Sequence, residues 1–236
     1  MKVAVIYYSS TGTNHAIAQA VQAGAEEAGA EVRLRRVAEL APDAAIDSNP
    51  VWREHVDQVA STVEEATIAD LEWADAYAFG TPTRFGLPAA QLKQFLDSAS
   101  KPWSEGVMAG KAVTSWTSAM NAHGGIESTI LALNNVFYHW GSVIVPPGYT
   151  DDLLYAAGGN PYGTGHATGA DGQPPTDAVL AAARYQGRRL AEIGARLVFQ
   201  CDRFAHAAGH GVALEDRHAP LHADRIVLRF ARTGHA

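Results

Sequence analysis

An apolar, β-branched run opens the chain, with Val3, Val5 and Ile6, and stops at Ser9-Ser10-Thr11-Gly12-Thr13-Asn14. An Ala-rich stretch with helical spacing starts directly afterwards and reaches Glu27-Ala28-Gly29. That order predicts a buried strand, a loop of hydroxyls around one glycine, and a helix N-terminus. Glu31 to Val37 alternates polar and apolar residues, as a half-exposed second strand near a sheet edge does. Ala41 to Asp75 is too long for a simple connection. Rich in Ala, Glu and Asp, with Trp52 and Trp73, it predicts an excursion with one or two short helices.

A third apolar run, Ala76 to Phe79, ends in Gly80-Thr81-Pro82-Thr83-Arg84-Phe85-Gly86 and is followed by a helix from about Pro88 to Ser98. The fourth, Lys111 to Trp116, runs into Thr117 to Gly125, and Ile126 to Tyr138 then fits a helix. The fifth, Ser142 to Val145, is stopped by Pro146-Pro147. A long Gly-, Pro- and Tyr-containing loop occupies Gly148 to Pro175, and a last core helix spans about Thr176 to Val198. Strands alternating with helices in this way define an α/β fold, a doubly wound and mainly parallel sheet with helices on both faces. In such a sheet the polar loops after strands one, three and four lie together outside the carboxyl ends, where ligands bind.

The opening loop has a definite chemistry. Hydroxyls, backbone N–H groups and the positive end of a helix dipole suit an anion, and phosphate is the natural guest. The loop matches neither G-x-x-x-x-G-K-[ST] nor G-x-G-x-x-G and contains no lysine, so it would hold phosphate with neutral donors. The alternative is an ordinary capped strand–helix turn.

Composition narrows the classes. At 236 residues, with 47% hydrophobic and 18% charged, the chain suits one large globular domain with elaborations. A net charge of −7 without a basic cluster argues against nucleic acid as a partner. Cys201, the single cysteine, excludes an intrachain disulfide and suits a reducing compartment. With no signal peptide at the strand-like N-terminus and no apolar run of membrane-spanning length, the expectation is a cytoplasmic protein.

An ordered series of motifs carries a family resemblance. Gly80 to Gly86 is its most specific member. Tyr7-Tyr8-Ser9 with Gly12, His123-Gly124-Gly125 with Glu127, His139, Pro146 with Gly148-Tyr149, Pro161-Tyr162-Gly163 and Ala183 to Gly187 support it. Over residues 1–198 the chain resembles the flavodoxin-like NAD(P)H:quinone oxidoreductases of the WrbA (tryptophan-repressor-binding protein) type. The resemblance implies a five-stranded sheet in the order 2-1-3-4-5, bound FMN, and two-electron transfer from NADH or NADPH to quinones. It also implies a homo-oligomer, a tetramer or dimer, with the flavin near subunit contacts.

On that resemblance Ser9, Ser10, Thr11, Gly12, Thr13 and Asn14 cradle the FMN phosphate. Thr81, Pro82, Thr83, Arg84, Phe85 and Gly86 line the isoalloxazine ring. Ser118, Ala119, Met120, Asn121, Ala122, His123 and Gly124 form a second flavin loop. His139 reaches the cofactor across a subunit boundary, and Trp103 walls the substrate pocket. The plainer alternatives are a surface ion pair for Arg84, core packing for Phe85 and Trp103, a helix-start role for His123, and a solvated helix end for His139. Thr11 stands where well-known members carry Tyr, which leaves the choice between NADH and NADPH open. No carboxylate pair, serine triad or metal cluster stands out, so no catalytic residue beyond the flavin's own chemistry is expected. An FMN electron carrier or redox-sensing binding protein is the alternative function.

Residues 199–236 form an extension without a counterpart in that pattern, of unknown role and expected to be loosely packed. It holds His206, His210, His218, His222 and His235. The i, i+4 pairs among them suit zinc on a helix face, but Gly209, Gly211 and Pro220 work against such helices. Ile226 to Phe230 suits a short strand or docking segment, and Cys201 is expected to be inert.

Overall fold

The computed structural model describes residues 1–207. The tail histidines from His210 onward and the 226–230 segment lie outside the described residues, as do the side chains of Cys201 and His206. The chain begins with β1 (Lys2–Tyr7), α1 (Thr13–Glu27) and β2 (Glu31–Arg36). The excursion holds three short helices where one or two were expected: α2 (Asp43–Asp47), α3 (Pro50–Ala60) and α4 (Ile68–Trp73). Asn49 starts α3 by accepting from Val51 N at 3.1 Å, and Pro50 occupies its first turn, where a missing N–H costs nothing. Then follow β3 (Ala76–Arg84), β4 (Leu87–Pro88), α5 (Ala90–Asp97), α6 (Ser100–Ser104), β5 (Ala112–Ala119) and α7 (Ile126–Trp140). β6 (Val143–Ile144), α8 (Leu153–Ala156), β7 (Gly165–Ala167) and α9 (Asp177–Ala207) complete the described chain.

The sheet order is β2-β1-β3-β5-β6, with β4 on β3 and β7 on β5. Every pairing is parallel except the β3–β4 hairpin. With the hairpin strand set aside, this is the expected 2-1-3-4-5 sheet, and flavodoxin-like architecture is what the chain adopts. Two details of the sheet differ from the sequence expectation. The third strand does not stop at Phe79 but runs on to Arg84, with Pro82 in register with Ser118. The fifth strand is split: β6 pairs with Ala112 and Val113, Pro146-Pro147 ends it, and β7 resumes the same edge opposite Thr117 to Ala119.

Alternation along β1 divides the core. Val3, Val5 and Tyr7 join Ile17, Val21, Trp116 and Leu190 under α1 and α9. Ala4 and Ile6 join Tyr77, Phe79, Leu92, Leu133, Phe137 and Trp140 on the other face. The two helices on the first face approach at backbone distance. A Cβ on Gly24 would collide with the Arg184 carbonyl, and one on Gly187 with that of Val21. The last helix passes its expected end at Val198, since Phe199 to Ala207 contains neither Gly nor Pro to stop it.

Candidate functional site

The end of β1 feeds a tight turn. Tyr8 N donates to Gly80 O at 2.9 Å, which fixes the loop beside β3, and Gly12 N donates to Ser9 Oγ at 3.1 Å. Gly12 precedes α1 with φ of 90°, a left-handed conformation that glycine adopts without steric cost. No side chain caps this helix, and no acidic residue sits in its first turn. A 15-residue helix therefore presents its N-terminal dipole with its first N–H groups unmet by any side chain. Thr11 is exposed, and Ser10 and Thr13 are half-buried.

Asn14 links this loop to the end of β5. It is 1% exposed, its Nδ2 donates to Ser118 Oγ at 2.8 Å, and its Oδ1 is buried without a partner. A buried acceptor left unmet by the chain is uncommon and calls for a partner from outside it, a water, an ion or a ligand group. Neutral donors, an open helix N-terminus and an orphaned acceptor suit a phosphate carried on a hydroxylated chain. The residues present therefore fit the phosphate and ribityl parts of FMN.

The second segment is a hairpin rather than a loop. Thr81 is fully buried: its carbonyl accepts from Thr117 Oγ1 at 2.6 Å, and its hydroxyl accepts from Ala89 N at 3.0 Å. The chain reverses at Phe85 (φ 54°) and Gly86 (φ 78°), the positive-φ pair of a two-residue hairpin turn. Thr129 Oγ1 donates to Thr83 Oγ1 at 2.6 Å and Ser128 Oγ to Gly86 O at 3.0 Å, stapling the hairpin to α7. Phe85 does not pack in the core: it is fully exposed at the tip, in a backbone conformation that costs a non-glycine residue about 1 kcal/mol or more. Arg84 makes no ion pair among the described residues; its Nη2 donates to Ser10 Oγ at 3.3 Å and so joins hairpin to opening loop.

Ser118 and Ala119 belong to β5, not to a loop. Met120, Asn121, Ala122 and His123 are exposed beyond it, with His123 N donating to Asn121 Oδ1 at 3.0 Å, and Gly124 closes the turn onto Ala119. Three of the expected segments thus converge at one end of the sheet.

Trp103 and His139 do not join them within the chain. α7 starts against Gly86, through Gly125, and at 1.5 Å per residue carries His139 about 20 Å away, to the opposite end of the sheet. There Trp103 Nε1 donates to His139 O at 2.8 Å, and both residues line a cavity of about 220 Å³ with Leu96, Ser100, Val136 and Trp140.

The excursion contributes groups that the sequence did not single out. Glu39 accepts from Tyr8 Oη at 2.8 Å, Trp52 Nε1 at 3.1 Å, Gln91 Nε2 at 2.7 Å, and the N–H groups of Leu40 and Ala41. Burial pushes this carboxyl up, but the donors outweigh it and hold it below the usual range. The knot ties α3 and α5 to the end of β1. Beside it, Tyr7 Oη lies 2.5 Å from His15 Nδ1, and the His15 and His55 rings stand 5.5 Å apart. His55 is buried and reaches Gly12 from α3: its Nδ1 is 3.6 Å from where a Gly12 Cβ would be. The composition of the excursion predicts short helices there but not which side chain of α3 faces the opening loop. Contacts across 40 residues of chain carry no local signal.

The parallel sheet, the uncapped helix and the converging polar segments define a flavodoxin-like, flavin-holding class of α/β protein. The model of the NADPH-dependent FMN reductase family matches residues 1–151, and the chain belongs to that family. It is 44% identical over 198 residues to the NAD(P)H dehydrogenase (quinone) of Deinococcus radiodurans, covering 84% of this chain and 98% of that protein. It is 41% identical over 206 residues to the NAD(P)H dehydrogenase (quinone) of Geotalea uraniireducens, covering 84% and 99%. A flavodoxin, WrbA-like protein from Agrobacterium tumefaciens shares the fold at a TM-score of 0.56, with 24% identity, 83% of this chain and 98% of that chain covered. The sequence resemblance is borne out. No described helix is long and apolar enough to cross a membrane.

Proposed function

We propose that this chain is an FMN-dependent oxidoreductase that transfers two electrons from NADH or NADPH to quinones. The observation that carries the reading is the neutral-donor cradle at the start of α1, completed by the orphaned Asn14 Oδ1. The names of its relatives, NAD(P)H dehydrogenase (quinone), supply the reaction.

Bound FMN would supply the redox chemistry, accepting a hydride from the nicotinamide and passing two electrons on to the quinone. The chain's part is to hold and orient. Ser9 to Thr13 would bind the phosphate with hydroxyl and backbone donors, and Asn14 Oδ1 would accept from a hydroxyl of the ribityl chain. The Thr81–Gly86 hairpin would flank the ring, with Arg84 as the cation nearest the opening loop and Phe85 as an apolar surface for a planar substrate. Ser118 to Gly124 would close the other side. Hydride transfer would rest on proximity more than on an acid–base residue, with the hydrogens that complete the hydroquinone coming from the nicotinamide hydride and solvent. One pocket used in turn by nicotinamide and quinone gives ping-pong kinetics.

Trp103 and His139 lie an α-helix length from their own chain's cradle, which supports a site completed by a second copy. The chain would then act as a homo-oligomer, tetramer or dimer, in the cytoplasm, with residues 1–198 as the flavin domain and 199–236 as an extension. The test is direct: the purified full chain should be yellow, release FMN on denaturation, and rebind it one per chain. A colourless protein that takes up no added FMN would sink the reading.

A further inference from the structure

α3 is the element that the cradle itself does not need. Its inward residue, His55, is 7% exposed and has a ring Nε2 that is buried without a partner. It faces the left-handed Gly12 and, on the other side, a cavity of about 30 Å³ shared with Tyr7, Tyr8, Ser9, Arg36 and Glu39, room for one water. Resting on the flavin reading above, we infer that His55, seconded by His15, forms a titratable wall of the phosphate cradle. The pair takes up a proton when a phosphate dianion occupies the cradle. The site thereby selects a phosphate-bearing flavin over an uncharged one.

The other charged groups around this wall are already engaged. Arg36 donates to Glu65 Oε1 at 2.9 Å and to Val63 O at 3.1 Å. Glu39 has five donors. Burial pushes the Tyr7 and Tyr8 phenols well above their usual range, so both stay neutral. On α3 itself, Arg53 pairs with Asp43, Asp47 and Asp57, and Glu54 is exposed. Arg84 reaches Ser10 from the hairpin side. That leaves two imidazoles, the side chains whose charge changes nearest neutral pH. In the ligand-free chain both are neutral: burial and then His15 push His55 down to about 4, and burial lowers His15. An adjacent dianion reverses the balance, because it favours the charged imidazolium. The opening loop alone, with neutral donors, has no such proton linkage.

Calorimetric titration of the flavin-free full chain at pH 7 tests this, using inorganic phosphate, FMN and riboflavin in two buffers of different ionisation heat. Wild type should take up about 0.3 proton or more per phosphate or FMN beyond the uptake of His55→Gln, and none with riboflavin. The preference for FMN over riboflavin should fall in His55→Gln by at least the roughly 1.4-fold that an uptake of 0.3 proton sets at pH 7. Equal uptake by wild type and His55→Gln, or equal uptake with riboflavin, overturns the proposal while leaving FMN binding intact. A folded chain that binds no FMN at all overturns the flavin reading beneath it. Should His55→Gln fail to fold, imidazole proton resonances of the wild type decide. Added phosphate should raise the pKa of the most depressed histidine from about 4 to about 6.6, the value that 0.3 proton at pH 7 requires, and unmoved values refute the idea.

Discussion

The two ends of the sheet differ in how completely they satisfy their own polar groups. At the amino end lies the larger cavity, about 380 Å³, lined by Glu72, Asp75, Lys111, Gly194 and Leu197 among others. Yet its buried polar groups are paired: Lys111 Nζ donates to Ala74 O at 2.6 Å and stands 5.4 Å from the Tyr77 ring, and Asp75 accepts from Lys2 N at 2.9 Å, while Glu72 is exposed. At the carboxyl end there is less enclosed space but more unfinished chemistry. Among the described residues, the buried side-chain groups without partners are those of Asn14, His55, Ser115, Trp116 and Asn160, all from the middle or carboxyl half of the sheet and its loops. Cavity size and unmet hydrogen-bonding capacity point to opposite ends of the sheet, and the proposed site follows the second.

The strongest way to break this contrast is Gly12→Asp. A carboxylate at the start of α1 suits the helix dipole but competes with phosphate for it. FMN affinity should fall about 100-fold or more by fluorescence titration, alongside a stability loss of about 1 kcal/mol or more, because Gly12 sits at a φ of 90°. Lys111→Met probes the other end. It leaves the Ala74 carbonyl unmet and should cost about 1–3 kcal/mol in denaturant melts while FMN affinity stays as in wild type.

The Lys111 amine also predicts a pH dependence. Burial pushes its pKa down to about 8 against an ordinary 10.5, so between those values the unfolded chain binds more protons and stability rises with pH. Lys111→Met should lose that rise.

Asn14→Leu is expected to be milder. Removing an unmet acceptor offsets the lost bond to Ser118, so apo stability should stay within about 1 kcal/mol, while FMN binding weakens about tenfold. His55 gives the smallest effect. Its depressed pKa means that stability present above pH 6.5 is lost as pH falls toward 4, by about 1 kcal/mol at pH 5.5, and His55→Gln should flatten that slope.

Much of this was legible because it is local. The apolar run of β1, the hydroxyl loop and the α1 start lie within 18 residues, and their order left an anion cradle or an ordinary capped turn; the structure shows the turn without a side-chain cap. Two local readings misled. Gly80 to Gly86 looks like a loop because Pro82 cannot donate to a ladder, yet Thr81 and Thr117 supply side-chain bonds that keep β3 going. Gly165 to Ala167 has too little apolar character to signal a strand, so the split edge was invisible. What joins α3 to the cradle was beyond reach for another reason. The Glu39 knot and the His15–His55 pair unite residues 31 to 83 positions from one another in some contacts, and nothing in the local spacing encodes them.

The central claim is that the carboxyl-end cradle holds FMN for turnover between nicotinamide and quinone. Anaerobic stopped-flow mixing of the FMN-loaded chain with NADH or NADPH, followed by a second mix with benzoquinone, measures it. The account predicts bleaching of the flavin absorbance near 450 nm by at least one nicotinamide and its full recovery on quinone addition, both fast enough to sustain steady-state turnover. Flavin that binds but is reduced by neither nicotinamide would contradict it and leave an electron carrier in its place.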